Sequence, residues 1–215
     1  MMKMKEKASS WAVLVDIVDS RRSDRRAVHE HATTQLAALN EQLEPLDPLR
    51  PTVGDEFQGV FSSLGAAIEA SHRLRLRMHP HADVRFGIGG GEVLKIDPAA
   101  GIQDGSAWWA AREAITRVEQ LAAATGYARV RTALQADAAS SAGIEPTLQL
   151  IDVSISALKP GAVRALQGVL NGEEVGAIAA AEGVSASAVS QRIINNDLRP
   201  LAAAMRSLWR IGAEL

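Results

Sequence analysis

The chain has no cysteine, which excludes disulfides, thiolate chemistry and cysteine-based zinc sites. That lack fits a reducing compartment. A strong charge of either sign is also missing: 23 Lys and Arg stand against 25 Asp and Glu, a net −2. The general basicity of many nucleic-acid binders is therefore absent, although a small local DNA-binding face stays compatible with it. No apolar run approaches the ~20 residues of a membrane helix. Residues 1–7 carry three lysines with no apolar stretch of leader length behind them. Neither a secretory leader nor a membrane partner is expected, and a cytoplasmic location is.

What is present suits a folded protein. Hydrophobic residues make up 47% of 215 and charged residues 22%, enough apolar material for a real core. The length fits a domain of about 150 residues followed by a small one. Trp11-Ala-Val-Leu-Val-Asp-Ile-Val18 reads as a buried central strand interrupted by one acid. Ser23 or Asp24 can cap a helix whose apolar positions Val28, Ala32, Leu36, Leu39 and Leu43 step by three and four. Two short strands, 50–53 and 57–61, flank a hairpin at Gly54-Asp55-Glu56. A second helix fits 64–78. A strand over 83–88, a turn at Gly89-Gly90-Gly91 and a returning strand over 92–96 follow. A third helix over 106–124 and a last strand over 127–132 complete the order.

The pattern predicts an α+β fold containing the ferredoxin-like β-α-β-β-α-β arrangement over residues 1–140. Residues 133–146 form a bridge, and an all-α domain occupies 147–215.

Asp16 interrupts a strand that otherwise wants apolar residues, and a buried carboxylate needs a partner. Taken alone, an ion pair with Arg21, Arg22 or Arg85 would satisfy it. A ferredoxin-like sheet also brings the end of its first strand near the hairpin tip, where Asp55 sits. Two carboxylates there suit Mg²⁺ or Mn²⁺, held together with substrate phosphates, and two such ions can drive phosphoryl chemistry.

The motifs then carry a resemblance. Asp16-Ile17-Val18 resembles the metal-binding start of class III nucleotidyl cyclases. Gly54-Asp55-Glu56-Phe57 resembles their hairpin and the diguanylate cyclase signature. Arg85-Phe-Gly-Ile-Gly-Gly-Gly91 resembles the cyclase strand R-x-G-I-x-x-G, and Ala111-Arg112 the end of N-x-A-x-R. The whole is similar to the SatD family, bacterial proteins with such a cyclase-like palm. The resemblance implies a metal site of Asp16, Asp55, the Ile17 backbone carbonyl and, more weakly, Glu56. It implies a nucleoside triphosphate or nucleotide second messenger near Asp19, Ser20, Arg21, Arg85 and Arg112, the last a catalytic candidate. Cyclase sites form at a two-fold interface, so a homodimer is expected, with Asp16 and Asp55 from one chain and Arg112 from the other. Two departures stand out. Trp108 occupies the place of the ribose-orienting asparagine, and an indole has no acceptor. A purine-selecting lysine is not evident ahead of the hairpin.

Other motifs are weaker. Gly87-Ile-Gly-Gly-Gly91 misses the dinucleotide spacing because Glu92 holds the third glycine position. His29 and His31, and separately His72, His79 and His81, read as surface histidines rather than a zinc site. Of Trp108 and Trp109, adjacent on a helix, only one can point into the core.

Toward the end, Ile178-Ala179, Gly183-Val184-Ser185 and Ala188-Val189-Ser190-Gln191-Arg192 resemble the helix-turn-helix of sigma-factor region 4 and many bacterial regulators. Such a resemblance puts Ser185, Ser187, Ala188, Gln191 and Arg192 toward double-stranded DNA, with Val184, Val189 and Ile193 in the core. Residues 157–215 hold six Lys and Arg against five Asp and Glu, a thin supply for phosphate neutralisation that a dimer would double. Three functions remain open. The first is a DNA-binding regulator that senses a metal–nucleotide ligand through its cyclase-like domain. The others are an active nucleotidyl cyclase or nucleotidyltransferase, and an inert cyclase fold used as a dimerisation scaffold.

Overall fold

A computed structural model describes residues 10–19, 24–52, 54–97, 101–136 and 143–212. Strand β1 (Ser10–Ile17) is followed by helix α1 (Arg25–Leu43), β2 (Asp47–Pro51), β3 (Glu56–Phe61), α2 (Leu64–Met78) and β4 (Val84–Gly91). A small pair, β5 (Leu94–Asp97) and β6 (Ile102–Asp104), precedes α3 (Ser106–Ala123) and β7 (Thr132–Gln135). Among the described residues five helices follow: α4 (Ile144–Ser156), α5 (Pro160–Asn171), α6 (Val175–Glu182), α7 (Ala186–Asn195) and α8 (Leu198–Trp209).

The main sheet has the order β2-β3-β1-β4-β7. β1 lies antiparallel to both β3 and β4, β2 pairs antiparallel with β3, and β7 joins β4 in parallel. The sheet is therefore mixed. The units β1-α1-β2 and β3-α2-β4 interleave, each placing one strand between the other's parallel pair. Central β1 is almost wholly apolar because both its faces are covered.

Alternation along β1 divides the core. Val13, Val15 and Ile17 join α1 and α2 and, beyond them, the C-terminal helices in one continuous cluster. Ala12 and Leu14 face α3 in a second cluster with Ala107, Ala111 and Ala114. α1 starts where Asp24 accepts bonds from the Arg26 and Ala27 amides, both 3.2 Å.

Gly89 to Gly91 do not make the expected turn. They continue β4, and the segment after it pairs with β6 instead of returning along β4. The reason is α3, which lies directly on β4. A Cβ on Gly87 would sit 2.3 Å from the Ala111 carbonyl oxygen, and one on Gly89 2.2 Å from the Ala111 nitrogen. The glycines serve close packing. The last strand also begins later than expected, at Thr132, because residues 124–131 turn back from α3.

The helical part packs on the sheet part through α2. The Gly65 amide donates to the Ile211 carbonyl at 2.9 Å, and Trp209 Nε1 donates to His72 Nδ1 at 3.0 Å. His72 is buried, contrary to the surface position expected of it, and burial followed by nearby Arg75 lowers its pKa to about 3. Arg75 lies 2.7 Å from Asp152 and 3.1 Å from Asp83. Asp152 also accepts from the Arg131 and Thr132 amides, 2.8 Å each, tying α4 to the start of β7.

Candidate functional site

Asp16 continues the row of Ala12 and Leu14 that faces α3, but lies one step beyond the apolar cluster. In register it stands opposite Glu56 at the start of β3 and Arg85 near the start of β4. Arg85 Nε is 3.2 Å from the Asp16 carboxylate, and Arg85 Nη1 is 2.9 Å from Glu119. Arg112, on α3, grips Glu56 with two parallel bonds of 2.9 and 3.0 Å, the geometry in which guanidinium and carboxylate match best. The hairpin after β2 closes with Thr52 N donating to the Glu56 carbonyl at 2.9 Å and with Gly54 at positive φ, and Asp55 follows directly.

The carboxylates crowd one end of the sheet. The Asp16 pKa is raised to about 6, chiefly by burial. Arg85 opposes this, while Asp55, Glu119 and Glu56 add to it. Arg112 is pushed up by its bond to Glu56. Asp16 and Asp55 could hold a hard divalent ion of the kind that takes one or two carboxylates and completes its shell with water and phosphate. Among the described residues no group of three or more His, Asp or Glu could hold a metal unaided. Such an ion would therefore rely on ligand oxygens.

The residues expected from sequence thus fall into groups. Asp16, Asp55, Glu56, Arg85 and Arg112 come together, with Ile17 adjoining in β1. Asp19 is exposed just past the strand with φ 55°. Ser20 and Arg21 lie outside the described residues. Arg112 meets Glu56 within its own chain. Asp16 takes Arg85 as partner, the pairing available to any buried acid here. Glu119 was not anticipated, although it stands seven residues after Arg112 and so on the same helix face two turns on. Trp108, one turn before Arg112, is half-buried and its indole N–H has no hydrogen-bond partner among the described residues. Trp109 points outward, 66% exposed, and donates to Asp104 at 2.9 Å.

A second locus lies on α6 and α7. Gly183 adopts φ 65° between the two helices, and the Val184 amide returns to the Ala179 carbonyl at 3.0 Å, the close expected of a glycine-terminated helix. Ser185 Oγ accepts from the Ala188 amide at 3.1 Å and caps α7. Val189 and Ile193 are buried. Ser185, Ser187 and Gln191 are exposed, and Ala188 is half-buried. Arg192 turns back, its Nη1 2.5 Å from Glu182.

Fold and site together define an α+β protein with a mixed five-stranded sheet, a charged cluster at one end of it and a helical C-terminal part. The model of the SatD family matches residues 10–198, and the chain belongs to that family. No curated protein matches it. Among the described residues no helix is long and apolar enough to cross a membrane.

Proposed function

We propose that this SatD-family chain is a DNA-binding regulator whose sheet part is a ferredoxin-like, cyclase-type palm that senses a nucleotide bound with Mg²⁺ or Mn²⁺. The observation carrying this reading is the convergence of Asp16, Asp55, Glu56, Arg85 and Arg112 at one end of the sheet. The interleaved β-α-β units support the palm assignment. Asp16 and Asp55 would hold the metal, with the Ile17 carbonyl beside them. When bound, the ion would neutralise phosphate charge and draw the proton from Asp16, whose pKa is raised chiefly by burial and further by the neighbouring carboxylates. Arg85 and Arg112 would trade their carboxylate partners for phosphate oxygens.

Turnover is disfavoured by Trp108. It occupies the position from which an amide would orient a ribose, and its single N–H points into a buried site. On the helical side, α6, the Gly183 turn and α7 fit a helix-turn-helix that presents Ser185, Ser187, Ala188 and Gln191 to the major groove. Gln191 would pair with a base, while Arg192 would need to leave Glu182 to reach a phosphate. A homodimer would supply two such helices and double the positive charge.

The test is incubation with ATP or GTP and Mg²⁺ or Mn²⁺, read for product and for thermal stabilisation together. Stabilisation without product, lost in Asp16→Asn and Asp55→Asn, is the expected result. Product would instead make the chain a nucleotidyl cyclase or nucleotidyltransferase. A second reading, the inert dimerisation scaffold, is favoured by the ion pairs that already neutralise Arg85 and Arg112. A homodimer that no nucleotide stabilises would select it.

A further inference from the structure

Away from the sheet end, a cavity of about 460 Å³ opens between α1, α2 and α5, a size within the ligand-pocket range. Arg73 and Arg77 enter it from α2 and Arg164 from α5. Their surroundings differ. Arg73 is paired with Glu69 at 2.7 Å, bonds Asn171 and lies over the Trp209 ring. Arg164 reaches Glu173 only at 3.4 Å. Arg77 donates to the neutral Gln42 amide at 2.9 Å and has no carboxylate partner among the described residues. Two further amides, Gln35 of α1 and Gln167 of α5, line the same space.

We propose that this cavity binds a small phosphorylated molecule, of about nucleotide size, without a metal ion. Guanidiniums are the side chains best suited to hold phosphate oxygens in two-point contacts. The amides supply both donors and acceptors for a polar remainder such as a sugar or base. Of the three guanidiniums only Arg77 lacks a carboxylate partner among the described residues, so its charge is the one left uncompensated in this half-enclosed cleft. Burial, and after it the neighbouring Arg73, lowers the Arg77 pKa, and an arriving anion would offset the repulsion from Arg73. The position gives binding a consequence. α1 and α2 belong to the sheet part and α5 to the helical part, so a ligand touching all three bridges the two. The inference does not depend on the carboxylate cluster, because Asp16 and Asp55 are not among the cavity's residues.

The experiment is isothermal titration of the full chain with pyrophosphate and with AMP, in EDTA and at constant ionic strength, paired with melting curves. Saturable binding of either probe is expected. It should weaken about tenfold or more in Arg77→Gln and in Arg164→Gln, the loss typical of one charge-assisted contact. Arg26→Gln, an exposed guanidinium at the start of α1 outside the cavity, should bind as the parent does. Tighter binding of AMP than of pyrophosphate marks a nucleotide, and the reverse marks an inorganic or simpler phosphorylated ligand. Far-ultraviolet circular dichroism of each variant checks that it is folded, and either arginine variant alone suffices. Three results overturn the proposal: no saturable binding of either probe, equal binding in the folded arginine variants, or loss in Asp16→Asn with survival in Arg77→Gln. The last would place the anion at the sheet end.

Discussion

Replacing Asp16 by Asn is expected to make the protein more stable at neutral and mildly alkaline pH. Asp16 keeps 27% of its side-chain exposure, yet its folded pKa is about 6 because burial and three neighbouring acids outweigh Arg85. The folded state therefore binds the Asp16 proton more tightly than the unfolded chain. Stability contributed by that proton is fully present below the ordinary aspartate value and is lost as pH rises through about 6. The full difference would be about 3 kcal/mol. Solvent reaching the side chain reduces it to about 1–2 kcal/mol. Asn keeps the shape without the charge, and Arg85 retains Glu119. For a chain of this size the gain corresponds to a melting-temperature rise of about 3–6 °C at about pH 8, shrinking toward zero near pH 4. Melting curves of both proteins across that range are the assay. A variant less stable than the parent at pH 8, or a gain independent of pH, would refute the reasoning. It would show that the Arg85 ion pair outweighs desolvation and that Asp16 is a structural acid.

Three other outcomes are expected, two from the packing and one from the proposed DNA-binding face. Asp152→Ala should cost about 3–5 kcal/mol in urea denaturation, because it leaves Arg75, with 4% of its side chain exposed, without one of its two carboxylates and strips the Arg131 and Thr132 amides of their acceptor. Gly89→Ala should cost about 2–4 kcal/mol by the same assay, because its Cβ would meet the α3 backbone at 2.2 Å and a backbone cannot rotate away. Gln191→Ala combined with Ser187→Ala should weaken binding to a selected duplex about tenfold while leaving the melting temperature within about 1 °C, since both side chains are exposed.

Much of the sheet part was legible because apolar periodicity is strong there. The run from Trp11 to Ile17 had to be a central strand, and Val28, Ala32, Leu36 and Leu39 had to lie on one buried helix face. The glycines from Gly89 to Gly91 misled. A glycine run in sequence signals a turn, and nothing local reveals that a helix far along the chain lies against that strand. His72 was misplaced for a similar reason: its partner, Trp209, is distant in sequence and belongs to the last helix. At the site, Asp16, Asp55 and Arg112 stood out by motif. Glu119 did not, because its role arises only when α3 lies across β4 and brings it to Arg85. The network of Arg75, Asp83, Arg131 and Asp152 carries no sequence signature, since its members come from four separate segments.

Whether Asp16 and Asp55 grip a metal–nucleotide ligand is decided by calorimetric titration of ATP and GTP into the full chain with Mg²⁺, repeated in EDTA and in Asp16→Asn and Asp55→Asn. A binding component that needs Mg²⁺ and disappears in both variants is expected. A titration in which neither nucleotide shows Mg²⁺-dependent binding, or in which that component survives both substitutions, would contradict it.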